Sequence, residues 1–72
     1  MTEAEQILSD ELMFDLSDHG SKAYYKKIVK LYDHDFLRET KQQVLLKDGL
    51  ENKGAYFTSV IQSQGHKHLR KQ

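Results

Sequence analysis

The chain lacks cysteine, proline and tryptophan, and only four of its 72 residues are glycine. Without cysteine, neither a disulfide framework nor a thiolate metal site can stabilise it. The absence of proline and the scarcity of glycine disfavour a turn-rich β fold and favour helices separated by glycine-containing turns. A single domain of this length buries a small hydrophobic core, so self-association or partner binding is expected.

Long apolar runs are also missing. No segment approaches the roughly 20 apolar residues that a transmembrane helix needs. The N-terminal residues are acidic, whereas a secretory signal peptide begins with basic ones. The sequence therefore predicts a cytoplasmic protein without a membrane partner.

Charge is distributed unevenly along the chain. Residues 1–20 contain six acids and no lysine or arginine, which gives them a formal charge of −6. Residues 21–72 contain all eleven bases and five acids, which gives them a charge of +6. Because screening in the cell limits charge effects to about 8 Å, a ligand senses these local charges and not their neutral sum. The basic part predicts a polyanionic partner, which the acidic part either repels or competes with by folding back.

Two helices are predicted in the first half of the chain. Thr2 followed by Glu5 is a capping-box pattern, which places a helix start at the N-terminus. Residues 22–32 are predicted to form an amphipathic helix with Ser21 as its N-cap. One sector of this helix contains the apolar residues Tyr24, Tyr25, Ile28, Val29, Leu31 and Tyr32. The opposite sector contains Lys22, Lys26, Lys27 and Lys30.

Two further helices are predicted in the second half. The third covers residues 35–47 and is expected to bury Phe36, Leu37, Thr40, Val44 and Leu45. A short fourth helix begins at residues 52–54 and ends at Gln64, where Gly65 closes it. The predicted fold class is all-α, a small bundle of three main helices plus a short fourth helix. Residues 1–65 form its single domain, and residues 66–72 are a basic tail predicted to be frayed.

The lysine sector of the second helix is the strongest candidate for a functional site. Lys22, Lys26 and Lys30 recur every four residues, about 6 Å apart along the helix. Such ammonium groups can contact successive phosphates and bind nucleic acid with little sequence preference. The alternative interpretation is an ordinary solvated helix face. No acid interrupts residues 19–32, however, and a face that serves only solubility usually mixes both signs.

The tail carries further basic residues. Arg70 and Lys71 are predicted to add phosphate contacts, although a disordered end is the alternative interpretation. His66 and His68 stand two residues apart without a suitable third or fourth ligand nearby, so we expect no metal site. No nucleophile elbow, phosphate-binding glycine loop or HExxH helix occurs. We therefore expect no enzymatic activity, no cofactor and no small-molecule substrate.

A protein–protein adaptor, or a self-associating helical unit, is the second functional hypothesis. Apolar residues exceed what the predicted helices need at Met13 and Phe14 and again at Leu45 and Leu46. A hydrophobic strip beside acids is typical of a docking segment for another protein. The acidic first helix is then the docking segment, and packing of these side chains into the core is the alternative.

A family resemblance accompanies these patterns. It is carried by Tyr24-Tyr25 on a basic helix, by the segments 35–38 and 44–46, and by residues 52–61 with the sequence NKGAYFTSVI. Residues 22–64 resemble the helical C-terminal modules of bacterial and plasmid replication proteins, such as the DnaD-like primosome and helicase-loader modules.

The resemblance covers about two thirds of the chain and leaves out the acidic first helix. Those families end with a helix that carries a Tyr-x3-Ile-x3-Trp pattern. Here Tyr56 and Val60 occupy its first two positions, and Gln64 stands in place of the tryptophan. The resemblance implies contact with single-stranded DNA and a role in DNA replication or in plasmid or phage maintenance.

Overall fold

The computed structural model describes residues 1–70, which form an all-α bundle. Its four helices are α1 (Glu3–Asp15), α2 (Lys22–Leu31), α3 (His34–Leu46) and α4 (Lys53–Gln64). Short 3-10 turns at His19–Ser21 and Gly65–Lys67 precede α2 and follow α4. The predicted all-α class is confirmed, and the helices lie where the apolar periodicity placed them.

Polar side chains define the starts of three helices. Thr2 and Glu5 form the predicted capping box, in which each side chain accepts a hydrogen bond from the backbone N–H of the other residue. Asp33 caps α3 and Asn52 caps α4, each by accepting a backbone N–H three residues further on. Ser21 makes no such bond. Ser21 does occupy the predicted N-cap position of α2, but the helix starts without a side-chain cap because a 3-10 turn leads directly into it.

Helices α1 and α2 form an antiparallel pair. Arg70 contacts both Glu5, near the start of α1, and the carbonyl of Val29, near the end of α2. Helix α3 lies against α1, and α4 packs on α3. The core between them consists of Leu8, Leu12, Leu16, Tyr25, Ile28, Val29, Phe36, Leu37, Val44, Phe57 and Ile61. Leu31 was expected on the buried sector of α2, but 43% of its surface is exposed because it lies at the edge of that sector.

The loop between α1 and α2 is attached to the start of α4. The Tyr25 hydroxyl donates a 2.9 Å hydrogen bond to the Asp18 carboxylate. Burial, together with this bond to a carboxylate, raises the pKa of Tyr25. The same carboxylate lies against the backbone of Gly54, where a Cβ atom would overlap it. Glycine at this position therefore allows the loop and the first turn of α4 to pack closely.

A buried lysine connects α1 to α3. The Lys41 side chain is only 7% exposed, and its ammonium group donates to Glu11 at 2.8 Å and to Asp15 at 2.9 Å. Arg38 also pairs with Glu11, at 3.4 Å. Burial alone raises the pKa of Glu11, but the bond from Lys41 and the attraction of Arg38 hold that pKa below its ordinary value. Sequence reasoning missed Lys41, although its spacing from Leu37 and Val44 places it on the apolar stripe of α3.

The segment after α4 is folded against the junction of α2 and α3. The backbone N–H of Asp33 donates to the carbonyl of His68 at 2.7 Å, and that of Arg70 donates to Leu31 at 2.9 Å. Leu69 forms an antiparallel bridge with Tyr32. The prediction of a frayed tail is therefore wrong for residues 66–70. Backbone pairing between residues more than 30 positions apart leaves no local pattern in the sequence, and residues 71–72 lie outside the described part.

Replacing Lys41 with methionine is expected to lower the free energy of unfolding at neutral pH by about 1–2 kcal/mol, between the values for exposed and buried ion pairs. The folded-state pKa of Glu11 lies below its ordinary value of 4.5. The stabilisation that ionised Glu11 provides through its pair with Lys41 is therefore complete above pH 4.5 and is lost as the pH falls through the folded-state pKa. The difference between wild type and Lys41→Met should therefore shrink in acid. Urea denaturation at neutral and acidic pH measures it.

Lys27→Met is the matched control, because Lys27 is exposed and forms no ion pair within residues 1–70. Its effect on the free energy of unfolding should be close to zero at both pH values. A Lys41→Met difference that stays constant from neutral pH to acid contradicts the assignment of this ion pair.

Candidate nucleic-acid interface

The four lysines of α2 occupy the outer half of the helix. Lys22, Lys27 and Lys30 are exposed and Lys26 is half-buried. The opposite sector contains Tyr25, Ile28 and Val29, which are buried in the core. These contacts fix the rotation of α2 about its axis, so the ammonium groups project from the molecule. The arrangement matches the predicted lysine sector.

None of these four lysines forms an ion pair within residues 1–70. The acids nearest to α2 in the sequence are already engaged, since Asp18 accepts from Tyr25 and Asp33 caps α3. The acidic first helix does not fold over the lysines either. Its ion pairs are made with α3 and with the residues after α4. The α2 lysines are therefore four neighbouring cations that remain available to an anionic ligand.

Arg70 has a different environment from the one predicted. Its guanidinium donates to Glu5 at 2.7 Å and to the carbonyl of Val29 at 3.0 Å. Val29 also accepts from the His34 ring at 2.8 Å, and the carbonyl of Leu31 accepts from the Arg70 backbone. Carbonyls of the last turn of a helix have no partner within the helix, so these donors cap the C-terminus of α2.

The capping role of Arg70 corrects its expected role as a phosphate contact. One guanidinium nitrogen already donates to a carboxylate and a carbonyl, and the Glu5 carboxylate balances the charge of Arg70, so Arg70 attracts a phosphate less strongly than an unpaired base does. The bond from the Thr2 backbone, followed by the bond from Arg70, holds the pKa of Glu5 below its ordinary value. Glu5 therefore stays ionised at neutral pH and keeps its bond to Arg70. Lys71, predicted as a further phosphate contact, lies outside the described residues.

The residues predicted to bind a protein partner divide into two groups. Phe14 is 71% exposed and Leu46 is 75% exposed. Met13 and Leu45 are half-buried, and Met13 packs against the core. The Phe14 ring is in edge contact with the ring of His19, with 5.5 Å between their centroids. Phe14 and Leu46, at the ends of α1 and α3, are therefore the two that the surface presents.

A groove of about 540 Å³ runs between α3 and α4. Tyr56, Val60 and Gln64, the positions that carry the resemblance to replication modules, line it along α4. On the other side, the ring of His68 is stacked on Phe36, with centroids 4.0 Å apart. The groove thus combines aromatic surfaces with polar side chains, which is the composition of many ligand sites.

No protein-family model, curated protein or solved structure matches this chain. The resemblance to DnaD-like modules therefore stays a prediction. Within residues 1–70, none of the helices has the length and hydropathy required to cross a bilayer. The same residues contain no group of three or more potential metal ligands.

Replacing Arg70 with alanine is expected to release residues 66–70 from the end of α2. The amide of Asp33, which donates to His68, should then exchange its hydrogen about tenfold faster, as it does where a local opening becomes easier. Amides in the centre of α2 should keep their protection, because the core still holds the helix. Hydrogen exchange followed by NMR measures both.

Lys67→Ala provides the control in the same segment, since Lys67 is exposed and its side chain makes no ion pair among the described residues. This variant should leave the Asp33 amide unchanged. Equal effects of the two variants would show that Arg70 has no special part in attaching the segment.

Proposed function

We propose that the protein is a small nucleic-acid-binding module whose outer α2 face contacts phosphates through Lys22, Lys26, Lys27 and Lys30. The observation that carries the proposal is that these four exposed or half-exposed lysines have no ion-pair partner within residues 1–70, although the chain contains as many acids as bases. Unpaired, clustered ammonium groups on a rigid helix attract a polyanion and release its counterions when they bind.

The spacing of the lysines suits a backbone contact. Lys22, Lys26 and Lys30 follow one edge of the helix in steps of about 6 Å, which is close to the distance between successive phosphates of an extended strand. Lys27 lies on the other edge of the same face. Point charges on flexible stems position a backbone without reading bases, so the expected binding is largely independent of sequence.

The type of nucleic acid follows from the resemblance and not from the lysines. Replication modules of the DnaD-like class act on single-stranded DNA, so single-stranded DNA is the proposed ligand, and DNA replication or plasmid or phage maintenance is the proposed process. The exposed ring of His68 and the half-buried ring of Tyr56 line the α3–α4 groove and support this choice, since unpaired bases stack on such rings.

The test is a titration of a fluorescently labelled, mixed-sequence single-stranded oligonucleotide, followed by anisotropy at several salt concentrations. Four phosphate contacts predict a slope of about −3 in a plot of log K against log salt. Replacing Lys26 and Lys30 with glutamate should weaken binding at least about tenfold and reduce the slope by about half. A duplex of the same length should bind more weakly than the single strand.

The matched control is the double replacement of Lys53 and Lys67 with glutamate. It changes the net charge by the same amount but lies outside α2, at the start of α4 and in the 3-10 turn that follows α4. This variant should bind nearly as well as the wild type. Absence of binding at low salt, or an equal loss in both double variants, overturns the proposal.

A further inference from the structure

The outer face of α1 exposes large apolar side chains. Ile7 is 53% exposed and Phe14 is 71% exposed. They stand seven residues apart, so they lie above each other on one side of the helix, about 10 Å apart. Leu8 and Leu12 are buried on the side that faces the core. A helix of a monomer usually turns such residues inward, and an exposed apolar pair of this kind indicates a contact surface.

Two acids on the same outer face are available for a partner. Glu3 and Asp10 are exposed and form no ion pair in the described part of the chain. Asp10 accepts only a 2.9 Å hydrogen bond from Gln6 on its own helix. In contrast, Glu5, Glu11 and Asp15 are paired with bases elsewhere in the fold. The outer α1 face, defined by Glu3, Ile7, Asp10 and Phe14, is thus apolar and acidic.

The outer α2 face has the complementary composition. Its lysines are accompanied by Ala23, which is exposed, and by Leu31, which is 43% exposed. These two apolar residues are eight positions apart, about 12 Å along the helix, which is close to the separation of Ile7 and Phe14. The outer faces of α1 and α2 both point away from the core that the two helices share, so they do not meet within one molecule.

We infer that the outer α1 face binds the outer α2 face of a second copy of this chain. Such a contact buries Ile7, Phe14 and Leu31 and sets Glu3 and Asp10 against the lysines. Apolar burial supplies affinity, and the opposite charges select the partner face. The chain as a whole is neutral, with eleven acids and eleven bases, so two copies do not repel each other over long distances.

The contact is heterologous, because the α1 face of one copy meets the α2 face of another copy and the two faces turn apart within one molecule. It can therefore repeat from copy to copy, so dimers and larger species form as the concentration rises. This inference does not rest on the proposed nucleic-acid function, although both use the α2 lysines.

Sedimentation velocity without nucleic acid, at low and high salt, tests the inference. The wild type should form dimers and larger species at low salt and dissociate more readily at high salt, because salt screens the pairs between the faces. Phe14→Ser removes the largest apolar contact and should weaken the dimer at least about tenfold. Its control is Leu46→Ser, which removes a side chain of similar exposure from the end of α3 and should leave the dimer intact.

A charge exchange tests which faces meet. The double variant Glu3→Lys/Asp10→Lys makes the outer α1 face basic. The triple variant Lys26→Glu/Lys27→Glu/Lys30→Glu leaves Lys22 beside three glutamates, which gives the outer α2 face a charge of −2. Each should be monomeric alone, and an equimolar mixture should recover association because the contacts between the two variants again join opposite charges. Glu39→Lys, at an exposed position in the middle of α3, is the control for charge reversal and should dimerise like the wild type.

Circular dichroism verifies that each variant remains helical. The inference is overturned if the wild type is monomeric at all concentrations or if the mixture of charge variants stays monomeric. It is also overturned if Leu46→Ser or Glu39→Lys impairs association as much as the α1 variants do. The Phe14→Ser variant in the oligonucleotide titration separates the two proposals. It retains all four α2 lysines, so its loss of dimers leaves nucleic-acid binding in place if that proposal holds.

Discussion

Ion pairs between α1 and the second half of the chain determine which charges remain at the surface. Lys41 engages Glu11 and Asp15, and Arg70 engages Glu5. The Lys41 side chain is 7% exposed and the Arg70 side chain is 36% exposed, so solvent and salt screen these pairs less than they screen a fully exposed pair. Three of the six acids in the first twenty residues are therefore paired with bases of α3 and of the segment after α4. The four lysines of α2 are the largest neighbouring group of cations that this pairing leaves without a partner among residues 1–70.

The geometry of consecutive helices explains why α1 pairs with distant bases and not with its neighbour. Helices α1 and α2 pack through their apolar sectors, so Leu8 and Leu12 share a core with Ile28 and Val29. When two amphipathic helices bury these sectors against each other, their polar sectors turn apart. Acids at the border of the α1 sector then face α3, where Lys41 crosses the interface. The separation of opposite charges is a consequence of hydrophobic packing.

Local patterns were sufficient to predict the helices and the position of the lysine sector. The capping box at Thr2 and the apolar period of residues 22–32 depend on neighbours within a few residues, and both are present in the structure. Lys41 was missed because a charged side chain usually lies at the surface, whereas its spacing from Leu37 and Val44 places it on the buried side of α3. Burial there depends on carboxylates 30 and 26 residues away. The attached segment 66–70 was missed for the same reason, since its partners lie far away in sequence.

The availability of the α2 lysines, unlike their position, depends on these non-local pairs. The pKa values of Glu5 and Glu11 are held below the ordinary carboxyl range, so both acids remain ionised throughout the neutral range and keep Arg70 and Lys41 engaged. The α2 lysines therefore stay without an ion-pair partner among residues 1–70 across that range. A polyanion and a second copy of the chain would bind these same side chains, so each must lower the apparent affinity of the other, by an equal factor. Protein concentration and salt therefore act on both equilibria together, because both depend on one set of ammonium groups.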